Sequence, residues 1–310
     1  MIKRTLCFSN PAYLSLTNHQ LVVKLPEVEK SNLTERLKKE ATTTIPIEDI
    51  GVVVLDHQQI TLTQGLLAHL LECNCAVITC DSRHLPVGLQ LPLEGNTTQS
   101  ERFRDQIEAS LPLKKQLWQQ TIQQKIANQA AVLNQKRGLE VKNMMRWVNE
   151  VKSGDTENVE GKAAAFYWKN MFPNVPDFTR GREGCAPNNL LNYGYAILRA
   201  IVARSLVASG LLPTLGIHHH NRYNAYCLAD DIMEPYRPYV DALVIEITQK
   251  MGYPQEITME HKQLLLTIPA LDVTIAEQRS PLMVATAQTT ASLYKCFSGE
   301  CRKILYPIMD

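Results

Sequence analysis

Gly210-Leu-Leu-Pro-Thr-Leu-Gly-Ile-His-His-His-Asn-Arg-Tyr-Asn-Ala-Tyr-Cys-Leu-Ala-Asp-Asp-Ile-Met-Glu-Pro-Tyr-Arg-Pro-Tyr-Val-Asp241 sets three histidines, three carboxylates and two arginines among apolar and aromatic residues before it closes on a further aspartate. Charge in such surroundings is costly unless something pairs with it or uses it, so the stretch reads as the reactive part of the chain. Asp231 and Glu234 are three residues apart on a segment of helical character. Their carboxylates then share one helix face and repel, a cost that a divalent cation would relieve. Pro235 follows at once and cannot donate to the carbonyl of Asp231, so the helix is expected to kink or restart there. The competing reading is that Asp230 and Asp231 simply cap a helix and complement its dipole. Of His218, His219 and His220, at most one or two can face a common point, because successive side chains diverge. Imidazole suits transition metals and carboxylate oxygen suits magnesium or manganese, so a mixed set points to a hard or borderline ion with open coordination positions.

Outward from this stretch the chain is helical as far back as Asn96 and forward to its last residues. Gln99 to Trp118, Gln119 to Gln135 and Leu139 to Val151 carry Gln, Lys, Arg, Leu and Ile at helical spacing, with Leu111-Pro112 and Gly138 as breaks. Another helix is expected from about Asn158. Phe172 to Pro187 reads as a loop carrying Arg180, Arg182 and Glu183. Asn188 to Ser209 reads as a long amphipathic helix ended by Gly210, a further helix follows near Leu228, and breaks are expected at Gly252, Pro269 and Pro281. Before Asn96 the period is different. Ala12–Thr17 and Gln20–Leu25 alternate around an Asn18-His19 turn and predict a hairpin. Strands are also predicted at 42–47, 51–55 and 76–79, with one short helix from about Thr63 to Glu72. The apolar run at 51–55 suggests a strand covered on both faces. Pro26 to Glu40 reads as a charged loop at a sheet edge. The fold class expected is α+β: a β-rich, sandwich-like domain over residues 1–95, then a larger all-α domain over 96–310.

With 310 residues, 45% hydrophobic and 20% charged, the chain is long enough for two cores. Its start, Met-Ile-Lys-Arg-Thr-Leu-Cys, lacks the apolar run of a secretory signal, so the expectation is a cytoplasmic protein with no membrane partner. Eight cysteines are too sparse for a disulfide scaffold. The net charge of +1 conceals a gradient: residues 1–100 carry 8 basic and 10 acidic groups (−2), residues 101–210 carry 16 and 10 (+6), and residues 211–310 carry 8 and 11 (−3). A basic third beside an acidic constellation suits a protein that lays a polyanion against a metal site, although a solvated helical surface would give the same count.

Glu160 is a third candidate arm, in Glu160-Gly-Lys-Ala-Ala-Ala-Phe-Tyr167, where small residues leave room for a close approach. An ordinary first-turn glutamate would look the same. His69, Cys73, Cys75, Cys80 and His84 lack the C-x2-C knuckle of a zinc site and read as buried thiols with incidental histidines. There is no G-x-G-x-x-G, G-x4-G-K-[ST] or G-x-S-x-G, which argues against nucleotide-driven or serine-hydrolase chemistry.

Glu160-Gly-x-Ala-Ala-x-x-Tyr167, Asn189-x-Leu-Asn-Tyr-Gly-Tyr195, Gly210-Leu-x-Pro, Gly216-Ile-x-His219 and Leu228-Ala-x-Asp231-x-x-Glu234-Pro-x-Arg237-Pro-x-x-Asp241 together resemble the signature series of CRISPR-associated protein one, the integrase of CRISPR adaptation. Phe8-x-x-Pro-x-Tyr-Leu-Ser and the block ending Asp231-Ile-Met-Glu-Pro-Tyr-Arg-Pro resemble the branch found in type II systems. The resemblance implies a β-rich dimerisation domain and a helical catalytic and DNA-binding domain. It further implies a homodimer that joins a small ferredoxin-like partner protein, with the type II effector nuclease as an additional partner. It places the metal ligands and catalytic groups on Glu160, His219 and Glu234, for magnesium or manganese, with Asp231, His218 and His220 as helpers. From charge and position, Lys162, Arg180, Arg182, Asn188, Asn189, Arg222 and Arg237 are the candidates for DNA contact.

The function expected is insertion of short duplex DNA into the CRISPR repeat by attack of a 3′-hydroxyl on a phosphodiester, with nicking as the same chemistry using water. Two other classes stay open: a catalytically idle DNA-binding scaffold whose acids cap helices, and a metal hydrolase of small molecules, for which the basic middle third would have no purpose.

Overall fold

The computed structural model describes residues 3–32, 34–181 and 186–309. It divides into two units, Met1–Gly95 and Asn96–Asp310. The first holds two four-stranded sheets. One has the order β1 (Arg4–Phe8), β5 (Ile50–Leu55), β7 (Ala76–Cys80), β8 (Pro86–Gln90), parallel except for β8. The other has the order β4 (Thr43–Pro46), β3 (Gln20–Lys24), β2 (Ala12–Thr17), β6 (Ile60–Leu62). The hairpin of β2 and β3 turns at Asn18 and His19, both at positive φ, as a tight two-residue turn requires. β5 is buried along nearly its whole length, as its apolar run predicts. Ala12, Leu14 and Leu21 from one sheet meet Val53 and Val77 from the other in a shared core. Leu66 and Leu70 of α3 (Gln64–Glu72) complete it, and Thr63 caps that helix. The segment expected as a loop at 26–40 instead forms two short helices, α1 (Pro26–Glu29) and α2 (Glu35–Glu40). Pro26 starts α1 where a missing N–H costs nothing.

The second unit is built around α5 (Leu111–Arg137). It corrects the two shorter helices expected here. Pro112 stands in its first turn behind the Ser110 cap, just past the break from α4 that Leu111-Pro112 predicts, and the helix runs unbroken through Trp118 and Gln119 to a left-handed Gly138. The preceding α4 (Gln99–Glu108) is separate. Around α5 pack α6 (Lys142–Glu150), α7 (Val159–Met171) and α10 (Arg237–Met251). α8 (Asn188–Ala208) is long and apolar enough to cross a membrane, but 78% of that window is buried inside this unit, so it serves as a core helix. α9 (Cys227–Met233) ends at Glu234, and a 3₁₀ turn through Pro235 leads straight into α10, the restart that the proline predicts. After α11 (Met259–Leu265) the helical expectation fails locally. β9 (Asp272–Ile275) and β10 (Gln278–Pro281) pair as a hairpin before α12 (Leu282–Phe297). The last segment is extended, pairs with β9 at Thr274 and Ile308, and inserts Tyr306 against α5, where its hydroxyl meets Thr121 at 2.8 Å.

Candidate active site

Four elements converge here. At the start of α7, Asp155 accepts the N–H groups of Val159 and Glu160 at 2.9 and 3.0 Å, and the Asn158 side chain accepts from Gly161. These bonds satisfy donors that a helix leaves open at its first turn and fix Glu160 there. Glu234 is held in the 3₁₀ turn, 5% exposed. Between the two carboxylates lies the ammonium of Lys125 from α5, 2.5 Å from Glu160 Oε1 and 2.6 Å from Glu234 Oε2. Arg237 pairs with the other Glu234 oxygen at 3.0 Å and lies over the Tyr195 ring. Burial alone would raise the pKa of Glu234, but Arg237 and Lys125 outweigh it and hold the carboxyl below its usual range. Burial likewise opposes the charge on Lys125, and Glu234 and Glu160 overcome it, so both partners stay ionised.

His219 sits in the loop between α8 and α9. That loop is anchored by Asp231, which has no exposed side-chain surface. The Asp231 carboxylate accepts backbone N–H groups from Ile217 at 2.7 Å, His218 at 3.0 Å and His219 at 3.3 Å, and accepts His219 Nδ1–H at 2.5 Å. The aspartate thus fixes the tautomer and leaves Nε2 as the nitrogen able to bind a ligand. Its hydrogen bond holds the His219 pKa above the ordinary imidazole value, against the effect of burial, and the charges of Glu234 and Glu160 add to the rise. Gly216 is where the loop comes closest to its anchor: a Cβ there would stand 2.4 Å from the His219 carbonyl and 2.7 Å from Asp231 Oδ2. The neighbouring His218 stacks flat on buried Trp118 at 4.1 Å, and Trp118 meets His219 edge-on at 5.5 Å.

Glu160 and Glu234 are therefore brought together, with His219 within electrostatic range of both. Asp231 is an anchor rather than a helix cap, and Asp230 is committed to Arg199 at 2.7 and 3.1 Å. Among the described residues, no three His, Cys, Asp or Glu side chains are gathered closely enough to hold a metal in this arrangement. The donor set nevertheless fits a divalent ion. Two carboxylate oxygens already converge on a single cation, and the buried Glu234 Oε2 lies within ion-pair distance of Lys125 without a properly angled hydrogen bond.

The cations expected to meet DNA divide into two groups. Lys162, over the Trp147 ring, and Arg222, stacked with exposed Tyr223, stand at the surface. Arg180 is bonded to Asn188 and Asn192 and lies over Tyr195, Asn189 donates to the Pro254 carbonyl, and Arg237 is spent on Glu234. Arg182 lies outside the described residues. His220 is exposed in the same loop as Arg222. A cavity of about 630 Å³ lined by Trp168, Lys169, Phe172, Phe178 and Arg180 involves the far end of α7, and Glu160, Asp231 and Glu234 do not line it.

Behind the site, Tyr195 and Tyr167 donate to the two oxygens of fully buried Asp241 at 2.5 and 2.9 Å. Burial pushes the Asp241 carboxyl up to about 6. Residues that sequence reasoning missed are Trp118, Lys125 and Asn128, which lie along one side of α5. Asn128 donates to the carbonyls of Pro235 and Pro307 at 2.7 and 3.0 Å and accepts the N–H of Met309 at 3.1 Å, tying the Glu234 turn to the C-terminal segment. The available signal was the register: Trp118, Ile122, Lys125, Gln129 and Val132 follow core-facing spacing, so a lysine and a glutamine stand where apolar residues are usual.

Comparison with known proteins places this geometry. The family model of CRISPR associated protein Cas1 matches residues 6–277. The chain belongs to the Cas1 family. It is 36% identical to the CRISPR-associated endonuclease Cas1 of Neisseria meningitidis over 94% of its own length and 91% of that protein. In structure it is similar to a casposase bound to its integration product (TM-score 0.77, 20% identity, covering 98% of this chain and 92% of that one) and to Cas1 of Thermotoga maritima (TM-score 0.72, 16% identity, 96% and 97%). It is also similar to part of a Cas6-RT-Cas1–Cas2 complex chain, with a TM-score of 0.72 and 19% identity, over 97% of its length and 36% of the other's. The α+β architecture, strand-rich first and helical after, is as the sequence implies.

Proposed function

We propose that this Cas1-family chain is a metal-dependent DNA endonuclease and integrase of CRISPR adaptation, joining short duplex DNA to the repeat by transesterification. The observation that carries this is the convergence of Glu160 and Glu234 on one cation beside a histidine whose Nδ1 is fixed by a buried aspartate. In this reading Glu160, Glu234 and His219 Nε2 hold magnesium or manganese, with Asp231 as positioning residue and His218 and His220 as neighbours of the ligand. When bound, the ion polarises the attacked phosphodiester and stabilises the departing oxygen. Lys162 and Arg222 place the DNA backbone by phosphate contact, which fixes orientation without reading sequence. Arg180, Arg237, Asn188 and Asn189 serve by holding the site's walls. The first unit mediates homodimerisation, and the second carries DNA and chemistry. Partners are double-stranded DNA as fragment and repeat, a small ferredoxin-like protein of the adaptation complex, and the type II effector nuclease. Support for the assembly comes from the Cas1–Cas2 complex to which one structural neighbour belongs.

Glu160→Ala and His219→Ala are expected to fold as the wild type and to join no fragment into a repeat-bearing plasmid. Joining at the wild-type rate by both variants would refute the assignment. The second reading, an idle DNA-binding scaffold, draws on the fact that Lys125 already neutralises the acids. It requires that no divalent ion bind while DNA affinity still falls steeply with salt.

A further inference from the structure

Lys125 is the feature of the site that the ligand assignment does not use. Its side chain is 11% exposed, and its ammonium stands at the point where oxygens of Glu160 and Glu234 meet. It reaches that point from α5, a 27-residue helix whose flanking residues Thr121, Ile122, Ile126, Asn128 and Gln129 are all buried. Glu160 accepts a hydrogen bond from the ammonium, whereas Glu234 Oε2 receives charge without a well-angled donor. A tetrahedral ammonium therefore satisfies one carboxylate and only approximates what the other needs, as a point charge filling a coordination position would.

We propose that Lys125 is a built-in counter-ion that holds the Glu160 and Glu234 arms together before metal arrives and competes with the divalent ion for the same position. The inference rests on the metal-site reading above. Two carboxylates facing one another without a cation, Glu234 buried and Glu160 part-buried, would repel and drive the start of α7 away from the 3₁₀ turn. Lys125 prevents this, so the arms stay assembled in the metal-free protein. Arg237 already neutralises part of Glu234. A divalent ion entering beside an undisplaced ammonium would thus give the pocket excess positive charge, and occupancy by metal requires the lysine to withdraw. The affinity for metal is in consequence set by the difference between two cations rather than by the acids alone. The arrangement would keep the site from retaining a divalent ion tightly when DNA phosphates are not there to add negative charge.

The test measures Mn²⁺ binding to the purified full chain by calorimetry, with thermal unfolding at several Mn²⁺ concentrations. Lys125→Met keeps the aliphatic stem and removes the charge. It should unfold at a lower temperature than wild type without metal, bind Mn²⁺ at least about ten-fold more tightly, and show a larger metal-induced rise in Tm. Lys125→Arg keeps the charge and should bind no more tightly than wild type. Lys125→Gln, which can still hydrogen-bond the carboxylates, replaces the methionine variant if that one does not fold, with the same tightening expected. Equal or weaker Mn²⁺ binding by the neutral variants, with wild type binding measurably and Glu160→Gln binding less, overturns the competition while leaving the metal site intact. No Mn²⁺ binding by wild type or by any Lys125 variant overturns both.

Discussion

Gly216→Ala adds one methyl group at the point where the histidine loop crosses its anchor. The added Cβ would lie 2.4 Å from the His219 carbonyl oxygen and 2.7 Å from Asp231 Oδ2, with Cys227 Cβ at 3.2 Å. Ordinary contact begins near 3.4 Å, so backbone and carboxylate must separate from it by roughly 1.0 and 0.7 Å (3.4 − 2.4 and 3.4 − 2.7). Neither neighbour is the free end of a flexible chain. Asp231 is held by four hydrogen bonds, all from the same loop and three of them from its backbone. Overpacking of a tight site typically costs about 1–3 kcal/mol, and loss of one bond to a charged acceptor adds about 1.5–3 kcal/mol. An expected total of about 3 kcal/mol corresponds to a Tm lower by roughly 6–12 °C for a unit the size of Asn96–Asp310. Because the yielding atoms carry His219, DNA joining should fall further than stability, with little residual activity at temperatures where the variant is fully folded. Scanning calorimetry and the plasmid-joining assay read the two effects separately. A variant with wild-type Tm and joining would show that Asp231 does not determine where His219 points.

Two further predictions concern the frame behind the site. Asp241 titrates in the folded protein at about 6 against an ordinary 3.8, so as pH rises the unfolded chain ionises first. Wild-type stability should therefore fall between about pH 4 and 6 relative to Asp241→Asn, by about 3 kcal/mol at about 1.4 kcal/mol per pH unit, and the difference should stay level above that window. Denaturation midpoints of the two proteins that run parallel across it would refute a carboxylate whose burial outweighs its two tyrosine donors. Asn128→Ala strands two buried carbonyls and an N–H, and is expected to cost about 3 kcal/mol, read as a lower urea midpoint at unchanged slope. A loss within about 0.5 kcal/mol, the range of ordinary surface changes, would mean that water replaces the asparagine.

Local chemistry made much of this protein legible. Asn18-His19 announced a tight hairpin because both residue types tolerate positive φ beside alternating strands. Pro235 announced the helix restart because it lacks the donor that the previous turn needs. The hairpin of β9 and β10 was missed for the complementary reason. Its turn is Ala276-Glu277, both at positive φ, and neither residue type signals that conformation. The break at Leu111-Pro112 was legible from its proline, whereas the division between Trp118 and Gln119 was an error that no breaking residue supported. Motif order pointed to Glu160, His219 and Glu234, and register along α5 marked Lys125 as core-facing, but the partners of Lys125, Trp118 and Asn128 lie 35 to 181 residues away, which spacing cannot reveal. Arg180 and Arg237 show the converse. Basic side chains in a basic region invited a DNA role, while the fold turns them inward onto Tyr195, Asn188 and Glu234.

That Trp118, Lys125 and Asn128 share one uninterrupted helix makes reading frame along α5 matter more than composition. Each residue of an α-helix turns the next by about 100° and advances it about 1.5 Å. Removing or adding a single residue between Trp118 and Lys125 would therefore swing the lysine and the asparagine together away from Glu160, Glu234 and Pro235. A lineage carrying this site can exchange side chains along α5 one at a time, but it can change the helix's length only beyond the segment from Trp118 to Asn128.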